Sequence, residues 1–133
     1  MTPQKAVLCV DDNADTCDLL KFVFQKSGIR VETCSFPEEA IRRAREAKFD
    51  AIVLDFHLSA IDGVDLCRII RTFDSFTPII FFSAEARAAK KQEATDAGAQ
   101  AFLVKPNDFE KLVPTVCELI NENAKTNKEL KIV

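Results

Sequence analysis

Residues 51–63 read AIVLDFHLSAIDG, and their order sets the architecture of the chain. Ala51–Leu54 is short, wholly apolar and stops at the charged Asp55. A strand apolar on both faces belongs to a sheet covered on both sides, which is the habit of parallel sheets. A loop through Asp62-Gly63 then leads into a helical run, Val64–Thr72.

The same alternation extends in both directions. Toward the N-terminus, Ala6–Val10 is a buried-strand pattern ending at Asp11-Asp12. Asn13–Ser27 follows as a helix, with Leu19, Leu20, Val23 and Phe24 at core spacing and Gly28 as its stop. Arg30–Cys34 reads as a strand, and Ser35 or Pro37 opens a helix over Glu38–Lys48 with Ala40, Ile41, Ala44 and Ala47 along one side. Toward the C-terminus, strand Pro78–Phe82 ends at Ser83, and helix Glu85–Ala97 is closed by Gly98. Strand Gln100–Val104 ends at Lys105-Pro106, and Asn107 or Asp108 caps a last helix to about Asn121. Pro114 lies inside that helix and either kinks it or marks a late start. The polar stretch Glu122–Val133, with Lys125, Lys128 and Lys131, either extends the helix or frays, and reads as a tail or linker beyond a 1–121 domain.

The alternation amounts to an α/β fold, a doubly wound five-stranded parallel sheet with five helices. In such sheets functional groups collect at the carboxyl ends of the strands. Composition agrees with one soluble domain: 133 residues, 47% apolar and 29% charged. So much Val, Ile, Leu and Phe excludes disorder as the main description. No apolar run approaches the roughly 18 residues of a membrane span, and no secretory leader is evident, so a cytoplasmic protein is expected. A net charge of −3 argues against direct nucleic-acid binding. The 5 cysteines are scattered, odd in number and set in apolar patterns, so they read as reduced, buried thiols.

The residues just past the apolar runs are Asp11-Asp12, Asp55, Ser83 and Lys105-Pro106, all on one sheet edge. Three carboxylates in a small volume repel unless a cation neutralises them. Mg²⁺, with Mn²⁺ as the alternative, suits oxygen ligands of this kind. Lys105 adds a compact positive charge for a phosphoryl oxygen, and Ser83 a hydroxyl donor. The set fits phosphoryl transfer onto an exposed carboxylate, catalysed by positioning and charge neutralisation. Taken singly, each residue has an ordinary explanation as a turn, a helix cap or a loop; the ordered set does not.

Through these residues the sequence resembles the receiver domains of two-component response regulators. VLCVDDN, IVLDFHLSAIDG, IIFFSA and AFLVKP carry the resemblance, which spans about Lys5 to Asn121. It implies a flavodoxin-like sheet of strand order 2-1-3-4-5. It implies that Asp55 accepts a phosphoryl group from a sensor histidine kinase or a histidine phosphotransfer protein. Asp11, Asp12, Asp55 and the backbone carbonyl of His57 would serve Mg²⁺. Ser83 and Lys105 would hold phosphoryl oxygens, with small Ala84 leaving access. Phe102 stands at the switch-aromatic position, so Ser83 and Phe102 would report phosphorylation to the surface formed by the fourth helix, the fifth strand and the fifth helix. That face would carry a downstream partner or a second copy of the chain. The only catalysis implied is of its own phosphorylation and dephosphorylation.

Three departures stand out. Leu58-Ser59 replaces the usual Met-Pro of the loop after the acceptor. Phe102 lacks the hydroxyl of the commoner Tyr, so packing alone must report the state of Ser83. His57 lies where the family tunes acyl-phosphate hydrolysis; it is either a plain exposed loop residue or one whose charge modulates hydrolysis near neutral pH. The alternatives to a free-standing switch are an interaction module that has abandoned phosphorylation and a receiver cut from a longer protein. A hydrolase with an Asp nucleophile is disfavoured, because His57 stands where such enzymes carry their second Asp.

Overall fold

The computed structural model describes residues 3–132, with side chains through residue 126. Its elements are β1 (Ala6–Val10), α1 (Ala14–Lys26), β2 (Arg30–Cys34), α2 (Pro37–Glu46), β3 (Ala51–Leu54), α3 (Gly63–Arg71), β4 (Ile79–Ser83), α4 (Ala88–Asp96), β5 (Ala101–Val104) and α5 (Phe109–Ile132). The five strands form one parallel sheet in the order β2-β1-β3-β4-β5. The fold is the expected flavodoxin-like one.

Each strand alternates its side chains between two separate cores. Leu8, Val10, Ile52, Leu54, Ile79 and Phe81 face Ala40 of α2, the α3 residues Val64, Leu66, Cys67 and Ile70, and Ala94 of α4. Val7, Cys9, Val53, Ile80 and Phe82 face Leu20 and Phe24 of α1 and Leu112, Val116 and Ile120 of α5. Two packed faces explain why β1, β3 and β4 read as unbroken apolar runs: all their residues are buried.

Several local readings need correction. Leu19 stands at core spacing in the sequence, but it is 44% exposed on the outward side of α1, next to Phe22 at 64%. Only Cys17, Leu20 and Phe24 of that helix are buried, a stripe too narrow to include Leu19. Ala47 is an exposed cap residue, because α2 stops at Glu46. α4 starts at Ala88, three residues after the expected Glu85, because Glu85 is spent on a buried turn. Ser83 is therefore the last residue of β4 and not a helix cap. Asp108 precedes α5, but its carboxylate turns back to accept from the Val104 N–H at 2.9 Å. Pro114 lies within α5, so the late start is excluded. α5 continues to Ile132, through the stretch read as tail or linker; the side chains of Lys128 and Lys131, and Val133 altogether, lie outside the described residues.

Candidate functional site

The site is built from the ends of β1, β3, β4 and β5. The Asp11 N–H donates to the Cys34 carbonyl at 3.1 Å and the Asp55 N–H to the Val10 carbonyl at 3.0 Å. These two bonds extend the sheet by one step and hold both aspartates at its rim. Asp11 Oδ1 accepts from the Asn13 N–H at 2.9 Å, while Asn13 caps α1 through its bond from the Thr16 N–H. Asp11, Asp12 and Asp55 thus each present an oxygen, all within 4.8 Å of one another.

Lys105 answers this charge. Its N–H donates to the Ser83 carbonyl at 2.8 Å, which ties β5 to β4. Its Nζ donates to Asp11 Oδ2 at 2.7 Å and stands 3.7 Å from Asp55 Oδ2. Asp11 is 2% exposed, and this burial holds its carboxyl above the ordinary range despite the bond from Lys105. A raised carboxyl in the folded state means that the native protein holds its proton longer than the unfolded chain. Its contribution to metal-free stability therefore falls as pH rises through that window.

Three carboxylates against one ammonium leave two negative charges in the pocket. The donors are hard oxygens, Asp12 is open to water, and among the described residues no hydrogen bond engages the His57 carbonyl. This donor set fits a hydrated divalent cation such as Mg²⁺. Removing one buried charge tests the balance. Asp11→Asn should raise the melting temperature of the metal-free protein by a few degrees, on the order of 1 kcal/mol, and should weaken the further rise that Mg²⁺ gives the wild type. Differential scanning calorimetry with and without Mg²⁺ measures both.

The remaining expected residues are brought to the same edge. Ser83 is fully buried, and its Oγ accepts from the Glu85 N–H at 3.3 Å. Phe102 stacks on Phe81 at 5.5 Å and lies 6.4 Å from Phe56. Its ring is thus part of an aromatic cluster under the site. The His57 side chain is 61% exposed, with Nε2 3.3 Å from Glu85 Oε1.

Two residues of consequence escaped the sequence reading. Gly63 opens α3 so close to Asp55 that a Cβ there would sit 2.2 Å from the Asp55 carbonyl oxygen and 2.8 Å from the Phe81 ring. Its N–H closes the loop by donating to the Phe56 carbonyl at 2.6 Å. Glu85 is 7% exposed, and the Arg87 guanidinium holds its carboxyl down at about 2. Glu85 and Arg87 stand two apart, a spacing that does not face on a helix, so an ion pair there signals a turn.

The family model for the response regulator receiver domain matches residues 7–117. The chain is 35% identical over 120 residues to the transcriptional regulatory protein PrrA of Mycobacterium leprae, covering 90% of this chain and 52% of that protein. It is 31% identical over 117 residues to the transcriptional regulatory protein ZraR of Klebsiella oxytoca, covering 88% of this chain and 26% of that protein. The chain therefore spans about half the length, or less, of these relatives. Among solved structures it is similar to a two-component response regulator from Clostridium difficile, with TM-score 0.84, 30% identity, and 89% and 97% of the two chains covered. It is likewise similar to the chemotaxis protein CheY4 of Vibrio cholerae, with TM-score 0.82, 32% identity, and 88% and 99% covered. Among the described residues no helix is long and apolar enough to cross a membrane.

Proposed function

The chain belongs to the response regulator receiver domain family, and from that premise we propose that it is a phospho-accepting switch. The carrying observation is the convergence of Asp11, Asp12 and Asp55 with Lys105 placed between the first and the last. An Asp55 carboxylate oxygen attacks the phosphorus of a phosphohistidine on a sensor kinase or phosphotransfer protein. The new P–O bond forms as the P–N bond breaks, and the donor imidazole leaves. Asp11, Asp12, Asp55 and the His57 carbonyl would hold the metal, which when bound neutralises charge gathering on the phosphoryl oxygens. Lys105 takes another phosphoryl oxygen as its grip on Asp55 loosens. Ser83 turns its hydroxyl from the Glu85 turn toward the phosphoryl group.

Phosphorylation turns the singly charged Asp55 carboxylate into an acyl phosphate of about −1.5 to −2, a net gain of about one negative charge or less. The Ser83 displacement reaches α4 through the turn that follows it and β5 through the Lys105–Ser83 backbone bond. Phe102, on β5, follows by packing. The face of α4, β5 and α5 then meets a downstream protein, a second copy, or an output domain in a longer chain. The chemistry is confined to the protein's own phosphorylation and dephosphorylation. Incubation with Mg²⁺ and a small acyl phosphate should add one phosphoryl group by intact mass. Omission of the metal or Asp55→Asn should remove it; an unmodified wild type would defeat the reading.

A protein donor must also cover the rim of the sheet. Leu19 and Phe22, one turn apart on α1, and Phe36, just before α2, are exposed apolar side chains that such a donor could cover. The double substitution Leu19→Ala with Phe22→Ala should slow phosphorylation by the cognate kinase tenfold or more, about 1.4 kcal/mol. It should leave the rate with a small acyl phosphate within about twofold, since no group at Asp55 is touched. Parallel rate measurements with both donors check this.

A further inference from the structure

Glu85 is an anomaly outside the phosphoacceptor machinery. Its carboxylate is almost fully buried, and an unpaired buried charge is costly. Arg87, itself exposed, covers it with a fork: Nη2 reaches Oε1 at 2.6 Å and Nε reaches Oε2 at 3.0 Å. The Arg87 backbone N–H adds a third bond to Oε2 at 3.1 Å. On its other side Glu85 Oε1 meets His57 Nε2 at 3.3 Å, across to the loop that carries Asp55. The Glu85 backbone N–H, in turn, is the donor held by Ser83 Oγ.

The knot also decides where α4 begins. Arg87 stands at the N-cap of α4 with no side-chain cap bond, and Ala94 is the one buried residue of that helix. With so little apolar anchorage, the first turn of α4 takes its place from the turn before it. We infer that Arg87 is a positioning residue for the switch: by forking onto Glu85 it keeps the Ser83–Arg87 turn closed, which fixes the Ser83 hydroxyl and the start of α4 in the unphosphorylated arrangement.

This rests on the phospho-accepting reading and adds to it the element that sets the resting balance. If the fork is broken, the Glu85 carboxylate keeps only the Arg87 backbone N–H and His57 Nε2 as partners and swings more readily toward water. The Glu85 N–H then holds Ser83 Oγ without support, and the turn opens at lower cost. Arg87→Lys is the informative variant. It keeps the charge but cannot form a planar two-point fork. Glu85→Ala removes the clamp from the other side.

The test is the ¹H–¹⁵N spectrum of wild type, Arg87→Lys and Glu85→Ala in Mg²⁺, each with and without beryllofluoride. Wild type without and with beryllofluoride defines a line for the amides of residues 83–90 and of Phe102. Both variants, without beryllofluoride, should lie displaced along that line toward its bound end. A fivefold change in the ratio of the two forms is expected. Variants that coincide with free wild type, or that move off the line, overturn the clamp while the phospho-accepting reading stands. A wild type that gives no response to beryllofluoride removes both. Arg87 is exposed, so folding is not at stake in its replacement.

Discussion

Gly63→Ala is expected to destabilise the protein by about 3 kcal/mol or more, a drop of roughly ten degrees in melting temperature. Alanine is the better helix former by up to about 1 kcal/mol, so propensity alone predicts the opposite sign. The new methyl carbon, however, would lie 2.2 Å from a backbone oxygen, that of Asp55, which cannot swing aside as a side chain can. α3 must back away from β3 or the acceptor loop must shift, and the loop-closing bond from Gly63 to Phe56 suffers either way. Phosphorylation should fall with stability, because the moved residue is Asp55. Far-UV circular dichroism is the natural probe, since the chain has no Trp and no Tyr. Gly28→Ala is the contrast. Its φ of +79° strains alanine by about 1 kcal/mol, yet nothing lies within 4 Å of the added carbon.

Lys105→Ala should act on chemistry more than on the fold. It removes the ammonium set between Asp11 and Asp55, and with it the donor proposed for the transferring phosphoryl group. Loss of one such fixed charge costs about 10²-fold or more in rate. The metal-free protein should also lose about 1–3 kcal/mol, since Asp11 is left buried beside another carboxylate without a cation. Mg²⁺ replaces part of that positive charge, so the variant should gain more from the metal than wild type does. Stopped-flow phosphorylation and calorimetry with and without Mg²⁺ read the two effects. A variant with wild-type rate would show that Lys105 is only a structural partner of Asp11.

The strand ends were readable in advance because parallel strands buried on both faces announce themselves as apolar runs, and the residue after each run must sit at the rim. Asp11, Asp12, Asp55, Ser83 and Lys105 follow from that logic alone. Leu19 was misassigned for a related reason: helical spacing identifies a stripe, but its width depends on how closely the sheet approaches, and here only Cys17, Leu20 and Phe24 are covered. Glu85 could not be placed because its partner His57 comes from another loop, and its burial exists only once β3 and β4 are side by side. Gly63 was visible as a turn signal after Asp62, but its closeness to the Asp55 carbonyl is a property of how α3 seats on the sheet. The course of α5 past residue 121 is open in the sequence because Glu122–Val133 is polar and Lys-rich, with no clear apolar stripe to read.

The measurement that tests the central claim most directly is a titration of the ¹⁵N-labelled protein with beryllofluoride in Mg²⁺, followed at the amides of Asp55, Ser83, Phe102 and α4. The account predicts saturable shifts at the acceptor loop together with shifts along the β4–α4 turn and β5, all abolished by chelating the metal and by Asp55→Asn. Spectra unchanged at saturating beryllofluoride, or shifts that survive Asp55→Asn, would contradict it.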